Sequence, residues 1–249
     1  MKLQLEDGSY FRTDEGIDCA MPLTGDETNP RAWYVNPPVI EPVRTENWTG
    51  SVAEGGSTNF RDISFNPHGH GTHTECCGHI TPEVFSVQPA LKQQFFRAKL
   101  ISVDPETING DRVITANQIA ALLNGPIEAL LVRTLPNDEA KLHRNYSSSN
   151  PAYFDSGIVA LLNEAGVKHF LTDLPSVDRE EDGGALAFHH AFWNVPENPD
   201  LERTITELIF VPDTAADGNY LLSLTGASFV NDATPSRPII YPLHFSNDN

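Results

Sequence analysis

The chain has 249 residues and is strongly acidic, with 16 basic against 34 acidic side chains and a formal net charge of −18. That balance excludes a polyanion as the expected partner, because the surface repels phosphate and no Lys/Arg cluster offsets it, so no nucleic acid is expected. Three cysteines make no disulfide framework, and no segment approaches the ~20 apolar residues of a membrane span, so no membrane is expected either.

The amino terminus lacks the apolar stretch of a secretory signal, so a reducing cytoplasm is the expected compartment. Residues 1–70 read as extended pieces broken by Pro and Gly, with 17–23 as an early strand. Residues 97–103 are β-branched and apolar before Asp104-Pro105, the pattern of a buried strand with a stop. Thr115 is placed to cap a helix over 116–124, with Ile119, Leu122 and Leu123 as its inner stripe and Gly125-Pro126 ending it. A second buried strand follows at 129–133.

Ser156 then stands where a second helix needs a cap. Ile158, Leu161, Leu162 and Ala165 recur at helical spacing, and Gly166 sits where a left-handed cap is wanted. A third strand at 167–172 completes a strand–helix–strand–helix–strand run, which argues for an α/β core. Further on, 204–211 and 220–225 read as paired strands around the Asp217-Gly218 turn. No internal repeat or composition break divides the chain, so a single domain over 1–249 is expected.

The chemistry concentrates in one place. Four of the nine histidines, His68, His70, His73 and His79, fall within residues 68–79 beside Glu75, threaded through glycines that let the backbone bend. Imidazole with carboxylate suits Zn2+ first, with Mn2+ and Fe2+ behind it, and one or two ions are expected. His73 and Glu75 are two apart, so on a strand they project from one face. His79 reads either as a third ligand or as the proton carrier beside the metal. Cys76 and Cys77 read as buried inert thiols, Asp173 and Asp178 as turn and capping residues, and His169 as a structural residue in an apolar strand. A cupin is the rival from the same residues, since His68, His70 and Glu75 fit half of its motif. Asp62 stands where a cupin has Gly, however, and no downstream Pro-x-Gly-x-x-His follows.

The segment Gly71-Thr72-His73-Thr74-Glu75-Cys76-Cys77-Gly78-His79 resembles the H-x-G-T-H-x-D-x-P-x-H signature of the cyclase family of metal-dependent hydrolases. Ile17-Asp18 with Pro22-Leu23 resembles that family's opening strand, and Asp173-Leu174-Pro175-Ser176-Val177-Asp178 its D-x-x-S-x-D segment. The likeness spans about residues 17–243. It implies a β/β/α sandwich with mixed sheets and a few helices, a homo-oligomer, and hydrolysis of a small-molecule amide by metal-activated water. An arylformamidase-like (kynurenine formamidase-like) reaction is the first expectation and opening of a cyclic amide the alternative, with a non-catalytic binding protein on the same scaffold as a further rival. His73, Glu75, His189 and Glu207 are implied as metal ligands, and His79 as the acid/base residue. His189 is preferred to His190 because it stands three residues before Phe192.

Three positions depart from the pattern: Glu75 replaces Asp, Cys77 replaces Pro, and Gly69 stands where the first His is expected. That leaves His68 or His70 as the first ligand, and either spacing faces the wrong side of a regular strand. A bulge at Gly69 repairs the parity for His68, which is therefore the expected ligand.

Overall fold

The computed structural model describes residues 1–245. Its centre is one nine-stranded mixed sheet. In chain order the strands are β1 (Ile17–Asp18), β2 (His73–Glu75), β3 (Phe95–Val103), β4 (Ala129–Thr134), β5 (His169–Thr172), β6 (Thr204–Glu207), β7 (Gly218–Ser223), β8 (Ala233–Pro235) and β9 (Ile239–Pro242). Across the sheet they run β8-β2-β6-β5-β4-β3-β7-β9-β1. The middle strands β3, β4, β5 and β6 are mutually parallel, and β2 and β7 join them antiparallel. The helices are α1 (Ala116–Leu122), α2 (Ile158–Ala165) and α3 (Ala187–Trp193).

The apolar run of β4 is buried at every position, as a central parallel strand covered on both faces must be. Leu130 and Val132 point to one face, where Ile119, Ile158, Leu162, Phe188 and Phe192 of the three helices meet them. Ala129 and Leu131 point to the other, where they pack with Phe96, Leu100, Leu171, Leu222 and Ile240 of the curling sheet itself. The mixed α/β architecture is the expected one. Smaller antiparallel ribbons, including 39–42 paired with 61–64, lie outside this sheet.

Several local readings change. The early strand shortens to Ile17–Asp18, followed by a single bridge from Ala20 to Ile209. Thr115 does cap α1, with Gln118 completing a capping box. Ser156 does not cap α2: Gly157 occupies that position, and the Asp155 carboxylate takes its N–H. Gly166 closes the helix at φ 80°, a conformation that favours glycine.

The expected pairing of 204–211 with 220–225 does not occur. The first strand stops at Glu207, because Leu208 turns the chain at φ 54°, and it pairs with β5 and β2. Strand β7 lies across the sheet between β3 and β9. The Asp217-Gly218 dipeptide signals a local turn, but the sheet is assembled from distant partners.

Candidate metal centre

Strand β2 is held on both sides, by β6 with His73 opposite Glu207 and by β8 with Glu75 opposite Ala233. The period of two sends its side chains to opposite faces. On one face Thr74 Oγ1 meets Thr206 Oγ1 and Ser236 Oγ, each at 2.8 Å, a hydroxyl cluster that pins the register. His73 and Glu75 share the other face. Cross-strand pairing then brings His73 Nε2 to 3.4 Å from Glu207 Oε2.

The turn before β2 aims two more groups. Gly71, at φ 134°, directs its carbonyl at His73 Nδ1 at 2.9 Å, so Nδ1 carries the proton and Nε2 is left as a lone pair. Asn66 Oδ1 accepts the backbone N–H groups of His68 and Gly69, and the turn sets His68 Nδ1 2.9 Å from Glu75 Oε2. Residues 66–72 therefore form a turn, and the expected strand bulge is absent. A side chain at Gly69 would meet Val35 Cγ2 at 2.9 Å and the Ala32 carbonyl at 3.3 Å, so position 68 supplies the imidazole. His70 faces elsewhere, accepting from the Asn66 N–H at Nδ1 and donating to the Asn36 carbonyl from Nε2.

Helix α3 contributes His189. Asp178 accepts the N–H groups of Phe188 and His189 and holds His189 Nδ1 at 2.6 Å, which leaves Nε2 facing Glu75 Oε1 at 3.2 Å. Asp178 is thus both a helix cap and the group that orients a site histidine, more than the turn role expected of it. His190 points away and donates from Nδ1 to the Val195 carbonyl. His79 ends a short 3-10 turn (Cys77–His79), about one-third exposed, with Nε2 3.9 Å from Glu75 Oε2.

His68, His73, Glu75, His79, His189 and Glu207 therefore converge. Two groups of potential ligands share Glu75: His68 with His79, and His73 with Glu207, the atoms of each group lying within 4.8 Å of one another. The donor set fits a divalent ion by a direct observation. His73 Nε2 and Glu75 Oε2 are buried with no hydrogen-bond partner among the described residues. The 2.9 Å approach of His68 Nδ1 to Glu75 Oε2 lacks hydrogen-bond alignment, as expected when two lone pairs face a common cation.

The electrostatics agree. Burial disfavours charge on His68, yet Asp232 and Glu75 outweigh it and push its pKa up to about 10. Burial opposes charge on His189 in the same way, and Asp178 and Glu75 raise it to about 10. Burial works to raise Glu75, but His79, His189 and His68 hold it well below the usual carboxylate range. The site demands positive charge, which protons or a metal ion can supply.

Asp232 is the residue that spacing does not flag. Its Oδ2 lies 2.8 Å from His68 Nε2 and 3.5 Å from His79 Nδ1. It stands far along the chain from both, and no motif announces it. His169 is structural as expected, its Nδ1 meeting Thr204 Oγ1, whereas Asp173, read as a turn residue, is fully buried, pairs with Lys141 at 2.8 Å and accepts the Thr134 N–H. Burial raises both the Cys76 and Cys77 thiols, which keeps them protonated and inert.

A cavity of about 390 Å³ opens onto the cluster, walled by Trp33, Val35 and Leu186 on its apolar side and by His79, Ser176 and Arg179 on its polar side. Its size suits a small organic molecule.

The family model described as Putative cyclase matches residues 17–179. The kynurenine formamidase of Bacillus thuringiensis (strain Al Hakam) is 27% identical over 247 residues, covering 94% of this chain and 100% of that protein. The kynurenine formamidase of Bacillus anthracis is 25% identical over 244 residues, with the same coverage. Among solved structures, an isatin hydrolase bound to the product analogue thioisatinate superposes at a TM-score of 0.67 and 12% identity, covering 96% of this chain and 94% of that one. A predicted metal-dependent hydrolase from Bacillus stearothermophilus gives 0.61 at 17% identity, covering 91% and 97%. At such identities the structural likeness is one of fold.

Proposed function

The chain belongs to the cyclase family, whose model spans well over half of it, and from that premise we propose that it is a metal-dependent amidohydrolase of the arylformamidase type. The observation that carries the reading is the pair of orphaned, buried ligand atoms, His73 Nε2 and Glu75 Oε2, inside a convergent imidazole–carboxylate set that faces a cavity. The similarity to kynurenine formamidases directs the choice of substrate class.

His68, His73, Glu75, His189 and Glu207 are the residues that would hold one or two ions, Zn2+ before Mn2+. When bound, such an ion supplies Lewis acidity and makes hydroxide available near neutral pH. The protein's own groups do the rest. Trp33, Val35 and Leu186 give an aryl group an apolar wall and exclude water from that side. His79, partly exposed at the cavity, accepts the proton of the attacking water at Nε2 and returns it to the leaving nitrogen. Asp178 keeps the His189 ring in a fixed tautomer and orientation.

The test pairs elemental analysis with hydrolysis assays. Purified protein is expected to carry stoichiometric zinc or manganese and to cleave an N-formyl arylamine, with activity abolished by chelation and restored by the ion. Cleavage of cyclic amides alone would move the substrate class, and no hydrolysis by fully loaded protein would leave only a binding role.

A further inference from the structure

We propose that Asp232 is a positioning residue shared by two site imidazoles, setting the tautomer of His68 for metal ligation and that of His79 for proton transfer. The proposal rests on the hydrolase reading above only for its His79 half.

The backbone around Asp232 is fixed before its side chain is considered. The Cys76 N–H donates to the Asp232 carbonyl at 3.0 Å, and the Val87 N–H to that of Asn231 at 2.9 Å. Strand β8 begins at the next residue, with Ala233 opposite Glu75. The carboxylate is thus delivered by the same ladder that positions Glu75, and it inherits that ladder's rigidity.

One oxygen then serves two rings. His68 Nε2 donates to Asp232 Oδ2 at 2.8 Å, which places the ring's proton outward and its Nδ1 lone pair toward Glu75 Oε2. The same oxygen lies 3.5 Å from His79 Nδ1, an ion-pair approach that turns this nitrogen toward Asp232 and His79 Nε2 toward Glu75. The two rings stack, with centroids 4.2 Å apart and planes 26° from parallel, so fixing one restrains the other. Each of the other site imidazoles already has its own holder, His73 in the Gly71 carbonyl and His189 in Asp178. Among the described residues, Asp232 is the acceptor that faces the outer nitrogens of both His68 and His79. The crowding at Gly69 adds weight, since it forces the first imidazole onto a turn residue whose side chain is 19% exposed and needs such a restraint.

The experiment compares Asp232→Asn and Asp232→Ala, each alone and in a His79→Ala background, using cobalt-loaded protein. Asp232→Ala is expected to weaken Co2+ binding roughly 10–100-fold and to shift the ligand-field absorption bands, as loss of a ligand's hydrogen-bond partner does. At saturating cobalt it is expected to lower kcat on an N-formyl arylamine about 10²-fold with little change in KM. In the His79→Ala background the cobalt affinity loss should persist while the further kcat loss disappears, because the two residues act as a unit. Asp232→Asn, which keeps one acceptor oxygen, should fall between wild type and Asp232→Ala in the cobalt spectrum and serves as the readout should the alanine variant not fold. An unchanged cobalt affinity and spectrum in either variant, or kcat losses that multiply in the double variant, would overturn the proposal. If wild-type protein hydrolyses no amide, the functional reading fails, and the cobalt measurements still decide whether Asp232 positions His68.

Discussion

His79 and His189 both approach Glu75, yet their surroundings assign them different work. His189 is buried, with one nitrogen clamped by Asp178 and the other aimed at Glu75, the arrangement of a ligand with a carboxylate behind it. His79 is one-third exposed, lines the cavity and stands farther from Glu75. His79→Ala is therefore expected to keep its metal and lose roughly 10²–10⁴-fold in kcat, the range for removal of a positioned acid/base. His189→Ala should lose metal and activity together, and His190→Ala neither, since that ring caps a turn at Val195. Metal stoichiometry measured beside kcat separates the three outcomes, and metal loss in His79→Ala would make it a ligand instead. His73 and Glu75 are legible in the sequence because two-residue spacing on a strand is a geometric statement in itself. Asp178 and Asp232 are not, because their roles depend on where α3 and β8 dock, and a carboxylate in a turn reads the same with or without an imidazole beside it.

At the scale of elements, the run from β3 to β5 can be read from the chain because caps, glycine stops and apolar strands are local signals. The site lies beyond that run, on β2, β6 and β8, which are joined by pairings that local patterns do not encode. Helix α3 shows the same limit: it spans only seven residues, the Leu186 before it is left-handed with no cap from its own side chain, and the carboxylate that caps it comes from Asp178, so no local start signal announces it. Strand pairing also sets the pH response. His169 on β5 bonds to Thr204 of β6 and packs on Phe96, and burial first, then Lys168, lowers its pKa to about 4. The unfolded chain therefore binds a proton near pH 6.5 that the folded protein refuses until about pH 4. Stability from this group is complete above pH 6.5 and is lost as pH falls from 6.5 toward 4, by about 3 kcal/mol. In His169→Gln the slope of unfolding free energy across that window should flatten relative to wild type, whatever the change at neutral pH. An unchanged slope in urea titrations at stepwise pH would show that His169 is protonated in the fold.

For the molecule as a whole, the consequence is that the centre and the sheet stabilise or strain each other. Glu75 and Glu207 come from adjacent strands and are buried with His73 on the ladder that joins β8, β2 and β6, with Glu207 opposite His73. A buried carboxylate is tolerated only when positive charge compensates it. A divalent ion held as proposed would bind the folded arrangement and not the separated strands, so at a free concentration near a thousand times Kd it would add about 4 kcal/mol. For a chain of this size that corresponds to roughly 8–16 °C in Tm. Chelation should therefore lower Tm by that order, and a Glu75→Gln, Glu207→Gln double variant should lose that response. Its metal-free form should melt no higher than metal-free wild type, where protons on His68 and His189 already balance the carboxylates, and excess metal should not raise it because it lacks the ligands. Calorimetry of the four samples at pH 7 checks this. If chelation leaves the wild-type Tm unchanged, the ion contributes to catalysis without contributing to the fold.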